Sequence, residues 1–218
     1  MNGFGQWLLM DNRRFYPLLW VGFTLILAGY LMVWLPQPVV GLSLIGLEMG
    51  EWVKFLPEVQ AGLLPDRNLF YLPPVLLGLM MALWTAGWPN GRWQSWAVRG
   101  VAVLVSLLAF PAVEAVRFEP AVQWLLRIGL VGLVGVTAVL SGVMDRLPQR
   151  IRPLLLLVLA VVGLVLPSWA YLAVRPVIAE LFRTDVGIGP GLLLHIAGNL
   201  LVVVTGLLSL LQRPVEEG

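Results

Sequence analysis

His195 is the only histidine in the chain, and Asn199 follows it four residues later in LLLHIAGNLL. At helical spacing the two side chains share one face. An imidazole with an amide beside it can titrate near neutral pH and serve a proton-linked or ligand-binding site. The same pair is also what bonds one membrane helix to another, at about 0.6–2 kcal/mol per bond. One histidine is too few to hold a metal by itself. Arg127 is the second candidate, about two turns inside an apolar segment. An intramembrane cation needs a partner, and Glu114 and Glu119, in the short connection just before it, are each within reach. Without either, its stem can snorkel to the outer headgroups beside Trp124.

The remaining charges of interest interrupt an apolar stretch, GLEMGEWVKFLPEV at 46–59. On a helical projection Glu48, Glu51, Lys54 and Glu58 fall within about 120°, and Ile45, Met49, Trp52 and Leu56 within about 60° on the opposite flank. The spacing predicts an amphipathic helix over 39–57, lying at the outer membrane interface or dipping into it. Lys54 can pair with Glu51 and with Glu58 along that helix. The carboxylate face has three readings: a wetted helix face, a vestibule that attracts a cation or basic partner, and a hard-metal site, for which it offers too few oxygen ligands alone.

These residues need a scaffold, and the composition says which solvent covers it. The 218 residues are 59% hydrophobic and 12% charged, with a mean hydropathy of +0.89. That is half the usual charged share of about 25% in soluble domains, so lipid must cover the surface. Six apolar segments, 16–35, 69–88, 96–113, 121–144, 153–174 and 188–211, approach the roughly 20 residues a crossing requires. Backbone groups in lipid must be satisfied within the segment, which makes these segments helices. The predicted architecture is a single all-α polytopic membrane domain over 1–218, with six transmembrane helices and one interfacial or re-entrant helix. Arg13 and Arg14 precede an apolar run of about 20 residues with no cleavage site after it, which predicts an uncleaved first span.

Orientation follows from the cations in short loops. With both termini cytoplasmic, as in a bacterial-type plasma membrane, the inner side carries Arg13, Arg14, Arg92, Arg99, Arg146, Arg150, Arg152 and Arg213. The outer side carries Lys54, Arg67, Arg117, Arg127, Arg175 and Arg183. The run DRLPQRIR at 145–152 supplies the tightest inner cluster. Small residues mark where helices approach. Gly129, Gly132, Gly135, Ala138 and Gly142 predict a packing stripe on the fourth span, and Gly198 a second on the sixth. GIGPG at 187–191 lacks the Lys-Ser/Thr of a phosphate loop and reads as a flexible helix entry. Pro73-Pro74, Pro111 and Pro167 are read as kink points.

Motifs for catalysis are missing. The chain has no HExxH, no GxSxG, no pair of intramembrane aspartates, no cysteine and no histidine pair for haem. No cofactor is expected, and no basic run points to nucleic acid. The leading expectation is a non-catalytic membrane subunit or accessory protein, with the lipid bilayer, other membrane subunits or a second copy as partners. A small dimeric transporter with a polar route past His195, Asn199 and Arg127 is the alternative. A lipid-acting enzyme at the outer face is a second.

Overall fold

A computed structural model describes residues 16–37, 42–86, 88–142 and 151–211. The inner cations Arg13, Arg14, Arg146, Arg150 and Arg213, and the start of the expected interfacial helix at 39–41, lie outside these residues.

Helix α1 runs from Tyr16–Leu31, with Gly29 and Tyr30 in its last turn. The apolar run then turns extended. Strand β1, Val33–Gln37, pairs antiparallel with β2, Leu42–Ile45, and the register slips between Val33 and Leu35. This hairpin is a short extended element in an otherwise helical fold, and it corrects the expectation of a first span reaching residue 35. The β-branched Val33 and the proline at 36 disfavour continued helix. The slip at Trp34 is a bulge, which re-aims a side chain. Trp34 is fully buried and donates its indole N–H to the Gly29 carbonyl at 2.8 Å.

Helices α2, Gly46–Val53, and α3, Pro57–Gln60, follow. A single helix over 39–57 does not form. Leu56 is extended ahead of Pro57, as a residue before proline prefers, so the helical projection holds only to Val53. A 3-10 turn, Arg67–Tyr71, leads into α4, Leu72–Trp84. Pro73 and Pro74 sit at the helix start, where a missing N–H costs nothing, and not at a kink. Helix α5, Trp93–Ser106, ends in a 3-10 turn at Leu107–Ala109, so Pro111 lies beyond the helix. The short α6, Val113–Phe118, precedes α7, Ala121–Leu140. Helix α8, Ile151–Phe182, contains both Pro167 and Pro176, and α9 is Pro190–Leu211.

Four of these stretches are long and apolar enough to cross a bilayer: Arg67–Trp84, Ala121–Leu140, Ile151–Phe182 and Pro190–Leu211. Pro17–Leu31 and Trp93–Ala109 are apolar but shorter. The fold is thus a helical bundle of the kind a membrane protein needs. Helix α4 is its axis. Every residue of it but Leu72 is buried, against α1, α5, α7 and α8. Helix α9 packs between α1 and α8.

The bundle has two chemically distinct ends. At one, Trp20, Phe23, Trp84 and Trp88 stack edge to face, and Arg99 bonds Asn90 at 2.8 Å while Asn90 bonds the Gly142 carbonyl. At the other, the hairpin and α2 cover a core of Tyr30, Trp34, Met49, Val53, Phe70 and Tyr171. The closest helix crossing is α1 on α9. A Cβ on Gly29 would stand 2.4 Å from the His195 backbone nitrogen, and one on Gly198 2.7 Å from the Gly22 carbonyl. Gly198 therefore packs a seam. On the other expected stripe, a Cβ on Gly129, Gly132 or Gly135 would meet nothing within 4 Å in the chain itself. Those glycines face away from the bundle because Arg127, Val131, Val134 and Ala138 form the inward face of α7. Ala138 is buried in the core, and Gly142 adjoins Asn90.

Candidate functional site

The hairpin end gathers most of the charge singled out in the sequence. Its organiser is α2. An eight-residue helix is too short to hold itself together in isolation, and this one is held by what its glycines admit. Gly46 and Gly50, one turn apart, leave room for two tyrosines. A Cβ on Gly46 would stand 2.8 Å from the Tyr30 ring, and one on Gly50 2.6 Å from the Tyr71 ring. The glycines of G-L-E-M-G thus belong to the buried face with Met49 and Val53, and Glu51 is carried to the edge of that face.

There Glu51 accepts a hydrogen bond from the Tyr71 hydroxyl, ion-pairs with Lys54 at 2.7 Å, and ion-pairs with Nη1 of Arg127 at 3.3 Å. The Arg127 guanidinium stacks over the Tyr71 ring, 4.2 Å from its centroid. Lys54 continues the chain of contacts to Glu119 at 3.0 Å. Glu119 also binds Arg67, whose Nη2 donates to Gln123 at 3.1 Å. One network therefore ties α2, the 3-10 turn before α4, the α6–α7 connection and α7.

The electrostatics follow from these neighbours. Burial raises the Glu51 pKa, but hydrogen bonds from Lys54 and Tyr71, with the charges of Lys54 and Arg127, outweigh it and leave the carboxyl lowered. The hydrogen bond from Arg67, helped by Lys54 and opposed by burial, brings Glu119 from 4.5 down to about 2. Burial would lower Lys54, but its bonds to Glu51 and Glu119 win and raise it. All three stay charged near neutral pH.

The other sequence candidates lie apart from this network. Glu48 is exposed and accepts the Ile45 amide at 3.1 Å, capping the start of α2. Glu58, half-buried on α3, borders a groove of about 490 Å³ with Trp52, Phe55, Val177, Glu180 and Leu181. Lys54 forms no ion pair with Glu58; the end of α2 at Val53 takes the two off a common axis. Glu114 is exposed on the first turn of α6, and Arg127 pairs with neither Glu114 nor Glu119. Arg67, Tyr71 and Gln123 belong to the site but were not expected in it. Tyr71 reads in the sequence as an interface aromatic and Arg67 as a loop charge. Only a fold that places α2 over α4 and α7 brings them together.

His195 and Asn199 form a separate buried pair in the α1–α8–α9 core. Nε2 of His195 lies 3.0 Å from the Gly163 carbonyl. A carbonyl only accepts, so that nitrogen carries the proton. Asn199 donates back to the His195 carbonyl at 2.9 Å. The imidazole packs against Trp34, with ring centroids 5.3 Å apart. The GIGPG entry to α9 is tied down at the same place: the Gly189 amide donates to the Trp34 carbonyl at 2.8 Å, and the Tyr171 hydroxyl donates to the Gly187 carbonyl at 2.6 Å. Among the described residues no group of three or more His, Asp or Glu is placed to hold a metal ion. No protein-family model, no curated protein and no solved structure matches the chain.

Proposed function

We propose that the chain is a non-catalytic integral membrane protein, a subunit or accessory component of a larger membrane assembly. In this reading it crosses the bilayer six times. Helix α1 and Trp93–Ala109 supply the two shorter crossings, the hairpin end faces outward, and both termini are cytoplasmic. The observation that carries the proposal is where the polar side chains on the helices spend their bonds. His195 on α9 bonds α8, Arg127 on α7 bonds α2, and Arg99 on α5 bonds the loop after α4. Each holds one element of the chain to another. Polar side chains used in this way orient helices and leave the outer, apolar faces for lipid and partner helices. Exposed leucines and valines along α7, α8 and α9 supply such faces.

Three experiments test this. The chain contains no cysteine, so Glu48→Cys and Gln94→Cys can be labelled one at a time with a membrane-impermeant maleimide. Labelling of position 48 from outside and of position 94 only after permeabilisation supports the topology. The opposite pattern overturns it. Purification in mild detergent from its native membrane should yield a stoichiometric complex with one or more membrane proteins. A pH-driven solute flux in proteoliposomes that is lost in His195→Gln would replace the accessory reading with the transporter.

A further inference from the structure

Arg127 carries an unused recognition edge. Its Nη1 faces Glu51, but Nε and Nη2 have no hydrogen-bond partner among the described residues, and the residue is only 1% exposed. Nε–H and Nη2–H lie parallel on one side of the planar guanidinium, the arrangement that grips two oxygens of one oxyanion.

Two further observations point the same way. The Tyr30 hydroxyl on α1 is also buried and without a hydrogen-bond partner among the described residues. It is a third donor on the inner side of α2, where Gly46 admits its ring. The bonded network is also unbalanced. Arg127, Arg67 and Lys54 are three cations, and Glu51 and Glu119 are two carboxylates. One positive charge is left over, and Arg127 is the member buried deepest with donors free. Glu51 meets only Nη1 of Arg127, and its two oxygens are shared with Lys54 and Tyr71.

We propose that the Nε/Nη2 edge of Arg127, with the Tyr30 hydroxyl, binds one phosphate group. The Nε/Nη2 fork takes two oxygens of one oxyanion, and a phosphate leaves a further oxygen for the hydroxyl that a carboxylate does not have. The group arrives either as the headgroup of an anionic lipid or as free phosphate. Glu51, 41% exposed at its side chain, marks how near the site lies to the surface at the hairpin end. The site does not depend on the accessory-protein reading. It would serve a subunit as an anchor to anionic lipid as readily as it would serve a lipid-acting protein.

The test uses the full chain, delipidated in dodecyl maltoside, titrated separately with inorganic phosphate and with dioleoyl phosphatidic acid. Native mass spectrometry reads stoichiometry, and thermal unfolding reads affinity. One equivalent should bind. Arg127→Lys keeps the charge but loses the fork and should weaken binding roughly tenfold or more. Tyr30→Phe keeps the ring against Gly46, removes only the hydroxyl, and should weaken binding about three- to tenfold. Binding of the lipid alone assigns the headgroup, and equal binding of free phosphate assigns the ion. Should neither probe bind, or should Tyr30→Phe bind as tightly as the parent protein, the three donors are met by water and the proposal fails. Tyr30→Phe decides the matter even where Arg127→Lys does not fold.

Discussion

Glu51 on α2 and Arg127 on α7, separated by 76 positions in sequence, meet at 3.3 Å and join the covering helix to the bundle beneath it. The pair is asymmetric. The arginine side chain is 2% exposed and the glutamate 41%. Removing the glutamate strips a buried cation of its anion, which is the costly direction in which to break such a pair. Solvent at Glu51 tempers the loss, so Glu51→Ala should destabilise by about 1–3 kcal/mol, below the roughly 3–5 of a fully buried pair. Glu51→Gln, which still accepts from Tyr71, should lose less. The double variant Glu51→Ala/Arg127→Leu should be more stable than Glu51→Ala alone, because no unpaired charge remains. Thermal unfolding in detergent measures all three, and additive losses would mean the two side chains do not interact.

Acid should loosen the same end. Glu119 has its pKa lowered from 4.5 to about 2. A carboxyl lowered on folding contributes stability that is fully present above its unfolded value and is lost as pH falls towards the folded value. The window for Glu119 is therefore about pH 4.5 down to about 2, and the lowered Glu51 contributes in the same sense. Unfolding temperature should drop across that window and should drop less in Glu119→Gln, which has already lost its contribution at neutral pH. A melting curve unchanged between pH 5 and 2.5 would contradict the network.

How much of this was readable beforehand depends on the kind of signal. The apolar segments announce themselves by length, since lipid imposes a near-fixed span and forbids exposed backbone. The hairpin after Leu31 does not, because Val33–Leu35 are as apolar as the helix before them and only Pro36 hints at a break. The polar constellation is half legible. Glu51, Lys54 and Arg127 stand out as charges in an apolar chain. Their partner Glu119 was expected to serve Arg127, yet it serves Lys54 and Arg67, since pairing across 50 or more positions is decided by packing. Glycine spacing is ambiguous for a related reason. The stripe on α7 and the seam of Gly22, Gly29, Gly191 and Gly198 read alike in sequence, and only the neighbours distinguish a tight crossing from an open face.

That distinction can be measured. Gly29→Ala places a methyl 2.4 Å from the His195 backbone nitrogen and 2.6 Å from the Gly191 carbonyl, and backbone cannot step aside cheaply. The variant should lose about 1–3 kcal/mol by forcing α1 from α9. Gly132→Ala on α7 meets nothing within 4 Å. It should be neutral or up to about 1 kcal/mol stabilising, through helix propensity alone. Chemical unfolding of the two variants side by side in the same detergent provides the comparison. Equal losses at both positions would show that the outward face of α7 is covered by something, with a second copy of the chain the first thing to look for by cross-linking.

The His195 side chain joins α9 to α8 by the bond from Nε2 to the Gly163 carbonyl, and packs against the Trp34 ring. If that bond is its role, the residue is replaceable by any side chain that donates from the same place. His195→Gln offers an amide N–H and should fold with near-parental stability and no new pH dependence. His195→Leu leaves the Gly163 carbonyl unpaired and should lose about 0.6–2 kcal/mol, the range for a polar contact between membrane helices. Asn199→Leu should lose a similar amount or less, because its amide donates to the His195 carbonyl one turn back on the same helix. Thermal unfolding at pH 5.5 and 8 separates the cases. A Gln variant that folds normally but alters a pH-dependent property of the protein would show that the imidazole titrates in use, and that its role exceeds joining two helices.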